Sequence, residues 1–269
     1  MFESEFEKNL YALRRDKLAQ IAALGHDPYP NSYSATHTIP ELRAAFDEQT
    51  SEQFESAPVP IEVSIAGRIM AIRVQGKAGF AQLQQSGQRL QIYVRKDDVG
   101  ETGFALYKLL DLGDHIGVHG HLFRTRTGEL TVHVSKLVFL AKAMLALPDK
   151  YHGLEDTELR YRQRYVDLFM NTGQKPGAPR PALEDVGEGA QISAETTEPE
   201  EVPRNVREVF VKRAAILRAL RTFFDGQGYL EVETPMMHTI AGGAAAKPFK
   251  THHNALDLDL SLRIAPSYT

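Results

Sequence analysis

The chain has 269 residues, 42% of them hydrophobic and 25% charged, enough for one or two domains with a substantial core. It has no cysteine, which excludes disulfides and thiolate metal sites and suits a cytoplasmic setting. The net charge of −4 is uneven: residues 1–58 carry 5 basic and 10 acidic side chains, whereas residues 59–150 carry 12 and 8, so the middle block is the one suited to a polyanion.

The acidic start, "MFESEFEKNL", does not read as a signal or transit peptide. No apolar run approaches the roughly 18 residues that a membrane helix needs. Phe2, Phe6, Leu10, Leu13, Leu18, Ile21 and Leu24 recur at near-helical spacing, with Gly25 as a C-terminal stop. "THTIPELRAAF" predicts a short second helix, with Thr38 as N-cap and Pro40 and Glu41 in its first turn.

From Val59 the period changes to two. Ile61, Val63 and Ile65 alternate, as do Leu90, Ile92 and Val94, then Leu130, Val132 and Val134. Turns at Ser86–Gly87 and near Thr127–Gly128 predict two hairpins. About five strands, with a helix near "TGFALYKLLDLGD", fit a five-stranded OB-type barrel; an SH3-like barrel or a sandwich fits the same pattern.

"YHGLEDTELRYRQRYVDLFMN" predicts one helix capped by Asp156 or Thr157. Residues 172–206 are rich in Pro, Gly, Glu and Ala, with 3 basic and 7 acidic side chains and no aromatic residue. They predict a disordered insertion, either a solvated linker or an acidic interaction tail. The apolar stripe Val206, Phe210, Ile216, Leu217, Leu220, Phe223 and Phe224 predicts a helix stopped by Gly226 and Gly228. A strand through Tyr229–Glu233, ended by Pro235, should follow. Leu256, Leu258, Leu260 and Leu262 then alternate on one face of a further strand.

The fold class is therefore α+β, with an expected helical extension at 1–58, an OB barrel at 59–148 and an interdomain helix at 149–171. The insertion at 172–206 and an incomplete antiparallel-sheet domain at 207–269 complete the division. His252 and His253 are adjacent on a strand and point to opposite faces, so they are poor partners for one metal. The carboxylates Glu231 and Glu233 read as a solvated or interface face rather than a catalytic pair, and no metal ligand set is expected.

The strings "LPDKYHGLEDTELRYRQRYVDLFMN", "GYLEVETPMM" and "GGAAAKPFKTHHNALDLDLSLRIAP" resemble class II lysyl-tRNA synthetases. "GKAGFAQLQQSGQRLQIYVRKDD" and "GDHIGVHGHLFRTRTGELTVHV" are similar to the anticodon-binding OB domain of that family. The resemblance implies ATP- and Mg2+-dependent ligation of lysine to tRNA(Lys) through lysyl-adenylate, in a cytoplasmic homodimer with no membrane partner.

It also implies residue roles. Phe80 falls on a base-stacking position, Gln91 and Glu129 on positions that read the central anticodon uridine, and Arg68 and Arg73 near the RNA backbone. From its own pattern Phe80 could equally be a barrel-core residue. Gly243 corresponds to a lysine-binding position and Pro235 to the proline of the dimer-interface motif. The family's catalytic arginines and magnesium-binding carboxylates should lie beyond Thr269. Ser267 stands where the family has a lysine-binding glutamate, and Ser261 where it usually has Tyr. The expectation is a chain truncated in its catalytic domain and inactive alone, binding neither ATP nor Mg2+; a stand-alone tRNA-binding protein or a fragment without function are the alternatives.

Overall fold

The structure, a computed structural model, describes residues 4–56, 58–148, 154, 156–173, 205–233, 235–240 and 245–264. The chain divides into two compact units, Met1–Val209 and Phe210–Thr269.

In the first unit, helix α1 (Glu5–Ala23) starts at Ser4, whose hydroxyl accepts the Glu7 N–H at 3.2 Å. Of its apolar stripe Ile21 is fully buried, while Phe6 and Leu13 stay exposed. Helix α2 (Ile39–Phe46) has a reciprocal N-terminal cap. Thr38 Oγ1 accepts the Glu41 N–H at 3.3 Å, and Glu41 accepts the Thr38 N–H at 2.7 Å. The short helix α3 (Ser51–Glu55) leads into the barrel.

Five strands close that barrel: β1 (Glu62–Gln75), β2 (Ala78–Gln85), β3 (Gln88–Arg95), β4 (His115–Arg124) and β5 (Leu130–Ala141), in the order β1-β2-β3-β5-β4. All neighbours are antiparallel except β3 and β5. The alternation of each strand sends Ile65, Ile69, Leu83, Leu90, Ile92, Ile116, Val118, Val132 and Val134 inward, where all are fully buried. Strand β1 bends across the barrel, its first half pairing with β4 and its second with β2. Gly120 marks a bulge in β4, and a Cβ there would collide with the His133 carbonyl.

Helix α4 (Lys96–Leu109) joins β3 to β4 and plugs the barrel with Phe104, Leu106 and Tyr107. It begins earlier than the sequence pattern indicates, because Lys96–Val99 form a first turn that kinks at Gly100 (φ 73°).

A buried ionic cluster fastens α1 to the barrel. Lys142 Nζ lies 2.6 Å from both Asp111 Oδ2 and Asp114 Oδ2, and Lys17 reaches Asp111 Oδ1 at 2.6 Å. Asp114 also accepts the N–H groups of Asp111 (2.8 Å) and Ala143 (2.9 Å), so its lone pairs are well used. Burial pushes the pKa of the Asp111 carboxyl up, but hydrogen bonds and charge from Lys142 and Lys17 outweigh that and hold it below the ordinary value.

The expected helix after the barrel forms as two, α5 (Thr157–Arg162) and α6 (Arg164–Met170), broken at Gln163. Asp156 is the cap, accepting the Leu159 N–H at 2.7 Å. The buried Asp167 carboxylate gathers Arg160 at 3.0 Å, Asn171 at 2.6 Å and Arg164. Most of the predicted disordered insertion, 174–204, lies outside the described residues; its ends meet in a bridge between Thr172 and Asn205.

Helix α7 (Val206–Gly226) runs from the first unit into the second and ends as predicted near Gly226 and Gly228. The strand expected at Tyr229–Glu233 does not form. Those residues are exposed and irregular, and none pairs in a ladder among the described residues. The second unit's sheet is instead β6 (Met237–His238), β8 (Leu258–Leu262) and β7 (Lys250–His253), in that order. Leu256 falls in the β7–β8 turn, where Asp257 takes φ 49°, so it does not join the leucine face. Ser261 is the buried member of β8.

Candidate nucleic-acid interface

The alternation that fills the barrel core also lines up its outer surface. Register alone aligns Arg73 with Phe80, Phe80 with Tyr93, Tyr93 with His133 and His133 with His121. These five side chains form one row running across β1, β2, β3, β5 and β4, on the face opposite the core. The next row, two residues along, is Ala71, Gln82, Gln91, Thr131 and Phe123.

The first row is aromatic and partly open. Phe80 is 38% exposed and stacks on Tyr93, with centroids 4.7 Å apart and planes 29° apart. Tyr93 meets His133 edge-on at 5.4 Å, and His133 lies 4.9 Å from His121 and 5.9 Å from Phe123. Phe80 is thus a surface residue, not a core one. Gly79 beside it is confined by Tyr107, whose hydroxyl donates to the Arg73 carbonyl at 3.3 Å, so the strand carrying Phe80 is held from behind.

The second row carries the polar groups. Gln91 Nε2 donates to Thr131 Oγ1 at 3.0 Å, which leaves the Gln91 carbonyl oxygen and one amide hydrogen for a ligand. Thr131 in turn donates its hydroxyl hydrogen bond to the Glu129 carbonyl at 3.1 Å. Glu129 lies at the end of the β4–β5 turn, one residue before β5, its side chain 42% exposed and 3.3 Å from Arg43 Nη2. Phe80 and Gln91 therefore share one face, and Glu129 stands at its edge, two residues before Thr131, the cross-strand partner of Gln91.

Arg73 lies at the β1 end of the aromatic row and is exposed. Arg68 does not join them. Five positions back along β1, its guanidinium sits 4.1 Å over the Phe169 ring and donates to the Gly113 carbonyl at 3.1 Å. It belongs to a different cross-strand row with Gln84 and Arg89, and burial lowers the pKa of both guanidinium groups. That row clamps α6, since Gln84 Nε2 donates to the Phe169 carbonyl at 2.6 Å. His115, paired with Arg68 across β1 and β4, is pushed down to about 4 by burial and then by the Arg68 charge.

Tyr93, His121, Phe123 and His133 escape the sequence reading because nothing in one strand's alternation tells which residue stands beside Phe80. Strand register does. Gly243 lies outside the described residues. Pro235 is exposed in the second unit. Among the described residues no group of His, Asp or Glu is arranged to hold a metal ion, and no helix is long and apolar enough to cross a membrane.

Comparison with known proteins agrees with this geometry. Residues 63–140 match the family model described as an OB-fold nucleic acid binding domain, which spans nearly the whole barrel. Residues 201–268 match the model for tRNA synthetases class II (D, K and N). The chain is 46% identical over 253 residues to a lysine–tRNA ligase from Lysinibacillus sphaericus, covering 94% of this chain and 44% of the relative. It is 46% identical over 261 residues to one from Moorella thermoacetica, with 97% and 45% covered. Against the Bacillus subtilis lysine–tRNA ligase it is 45% identical over 253 residues. The chain spans less than half the length of these curated relatives. Both models are thus matched in series, and the chain is homologous to lysine–tRNA ligases along nearly all of its own length.

Proposed function

We propose that the outer face of the barrel binds the unpaired anticodon of a lysine tRNA and reads a uridine at its centre. The observation that carries this reading is the exposed Phe80, backed by Tyr93 and set beside an amide on one face, with a carboxylate at its edge. An unpaired base stacks on the Phe80 ring, which is sequence-tolerant. Selection comes from the edges: uracil offers carbonyl acceptors and one N3–H donor, matched by the Gln91 amide and the Glu129 carboxylate respectively. Arg73, exposed at the end of the row, supplies charge for the phosphate backbone. Arg68 has a weaker claim to that role, since its guanidinium is already engaged by Phe169 and Gly113.

The relatives' name describes the joining of lysine to tRNA, and we extend that activity to the protein as a whole, in a cytoplasmic setting. ATP with Mg2+ would activate the lysine carboxylate as its adenylate before transfer to tRNA. The described residues of this chain are assigned to tRNA recognition, not to those chemical steps. Gly243 is assigned to the lysine subsite and Pro235 to a homodimer interface. Exposed apolar side chains in the second unit, Phe223, Leu230 and Val232 among them, support a covering partner surface there.

The test is binding of an RNA stem–loop whose anticodon loop is centred on uridine, read by fluorescence anisotropy at fixed salt. Phe80→Ala should weaken binding by about tenfold or more, since one stacked base is worth about 1–3 kcal/mol. Unchanged affinity would overturn the stacking assignment.

A further inference from the structure

Glu129 is a surface carboxylate on a turn, and such side chains ordinarily sample several rotamers. Here one residue from outside the barrel restrains it. Arg43, on α2, directs each edge of its guanidinium to a different partner: Nε donates to the Arg89 carbonyl at 2.7 Å, Nη1 to Asp47 Oδ1 at 2.9 Å and Nη2 to Glu129 Oε1 at 3.3 Å. The Arg89 contact is to the β3 backbone two residues before Gln91, so Arg43 links the strand that carries Gln91 to the turn that carries Glu129. The end of α2 is fixed against the same turn by Arg124, which donates to the Phe46 carbonyl at 3.0 Å, to the Gly128 carbonyl at 2.5 Å and to the carbonyls of Asp47 and Gln49.

We propose that Arg43 is a positioning residue for base selection, holding the Glu129 carboxylate toward the central anticodon base. The inference rests on the assignment of Glu129 as the group that meets N3 of that base. With one oxygen occupied by Arg43, the other is left to accept the uracil N3–H. Cytosine has a lone pair at N3 in place of the hydrogen, and a restrained carboxylate cannot turn away from it. Arg43 therefore acts mainly on discrimination between the two pyrimidines, while stacking on Phe80 proceeds without it.

The experiment measures, for the full chain, the ratio of affinities for two stem–loops that differ only by uridine or cytidine at the loop centre. Any inactive protein fraction cancels in this ratio, so a mere folding defect does not move it. Arg43→Ala should lower the preference for uridine by about fivefold, the effect of roughly one ordinary hydrogen bond. Arg43→Lys, which keeps one charge but not the three-way fork, should fall between. Glu129→Gln should remove most of the preference, and adding Arg43→Ala to it should change the ratio no further. If Glu129→Gln lowers the ratio and Arg43→Ala does not, the positioning role is overturned while base reading by Glu129 stands. If Glu129→Gln leaves the ratio unchanged, Glu129 is not a reader and the inference falls with it.

Discussion

Lys142→Met removes an ammonium whose side chain is fully buried and that bonds two carboxylates at 2.6 Å each, while its hydrocarbon stem is nearly preserved. The cluster of Lys17, Lys142, Asp111 and Asp114 is neutral as formed and would be left with one excess negative charge. Asp114, itself fully buried, would keep only two backbone N–H donors. Breaking such a pair typically costs about 3–5 kcal/mol. A second route caps the penalty, because one carboxyl group can take up a proton instead. At pH 7, against a reference value of about 3.9, that costs roughly 4 kcal/mol, and at pH 5 about 1.5 kcal/mol. The expected destabilisation is therefore about 3–4 kcal/mol at neutral pH, shrinking by roughly half or more at pH 5. Native-state hydrogen exchange of the β4 and β5 amides isolates the barrel from the second unit and measures this directly. A loss below about 1 kcal/mol at pH 7, or one equal at both pH values, would refute the account of the cluster as a paired buried charge.

Gly120→Ala should destabilise the barrel by about 1–3 kcal/mol in the same exchange measurement, because the new methyl group meets the His133 carbonyl, which is backbone and cannot swing aside. His115 titrates near 4 in the folded protein and near 6.5 when unfolded. Between those values the unfolded chain binds more protons, so stability should decline as pH falls through that window. His115→Asn should flatten the decline, and an unaltered slope would show that another group is responsible.

The sequence pattern discloses the barrel because β1 to β5 each have one buried and one open face, so period-two alternation is forced on them. It could not disclose the parallel pairing of β3 with β5, which joins strands separated by α4 and β4. For the same reason Phe80 was recognisable but its row was not, and Arg43 could not be connected with a glutamate 86 residues away. The segment at Tyr229–Glu233 fails in the opposite sense. Its alternation is sound, but a strand needs a neighbour, and among the described residues none pairs with it. In β8 the leucine alternation misleads about burial, since Ser261 is the covered residue and Leu258 stays 38% exposed.

Strand β1 changes partners at Arg68, which is paired with both Gln84 of β2 and His115 of β4. Those partners reach the ribosome exit at different times. β2 follows β1 after a two-residue connection, whereas β4 begins about forty residues after β1 ends. The second half of β1 can therefore form a hairpin at once, while Glu62–Gly67 must wait with its backbone donors and acceptors unpaired. During that interval the first half of β1 is the open edge of a nascent sheet, and chaperone capture or misassociation between chains would be expected to begin there.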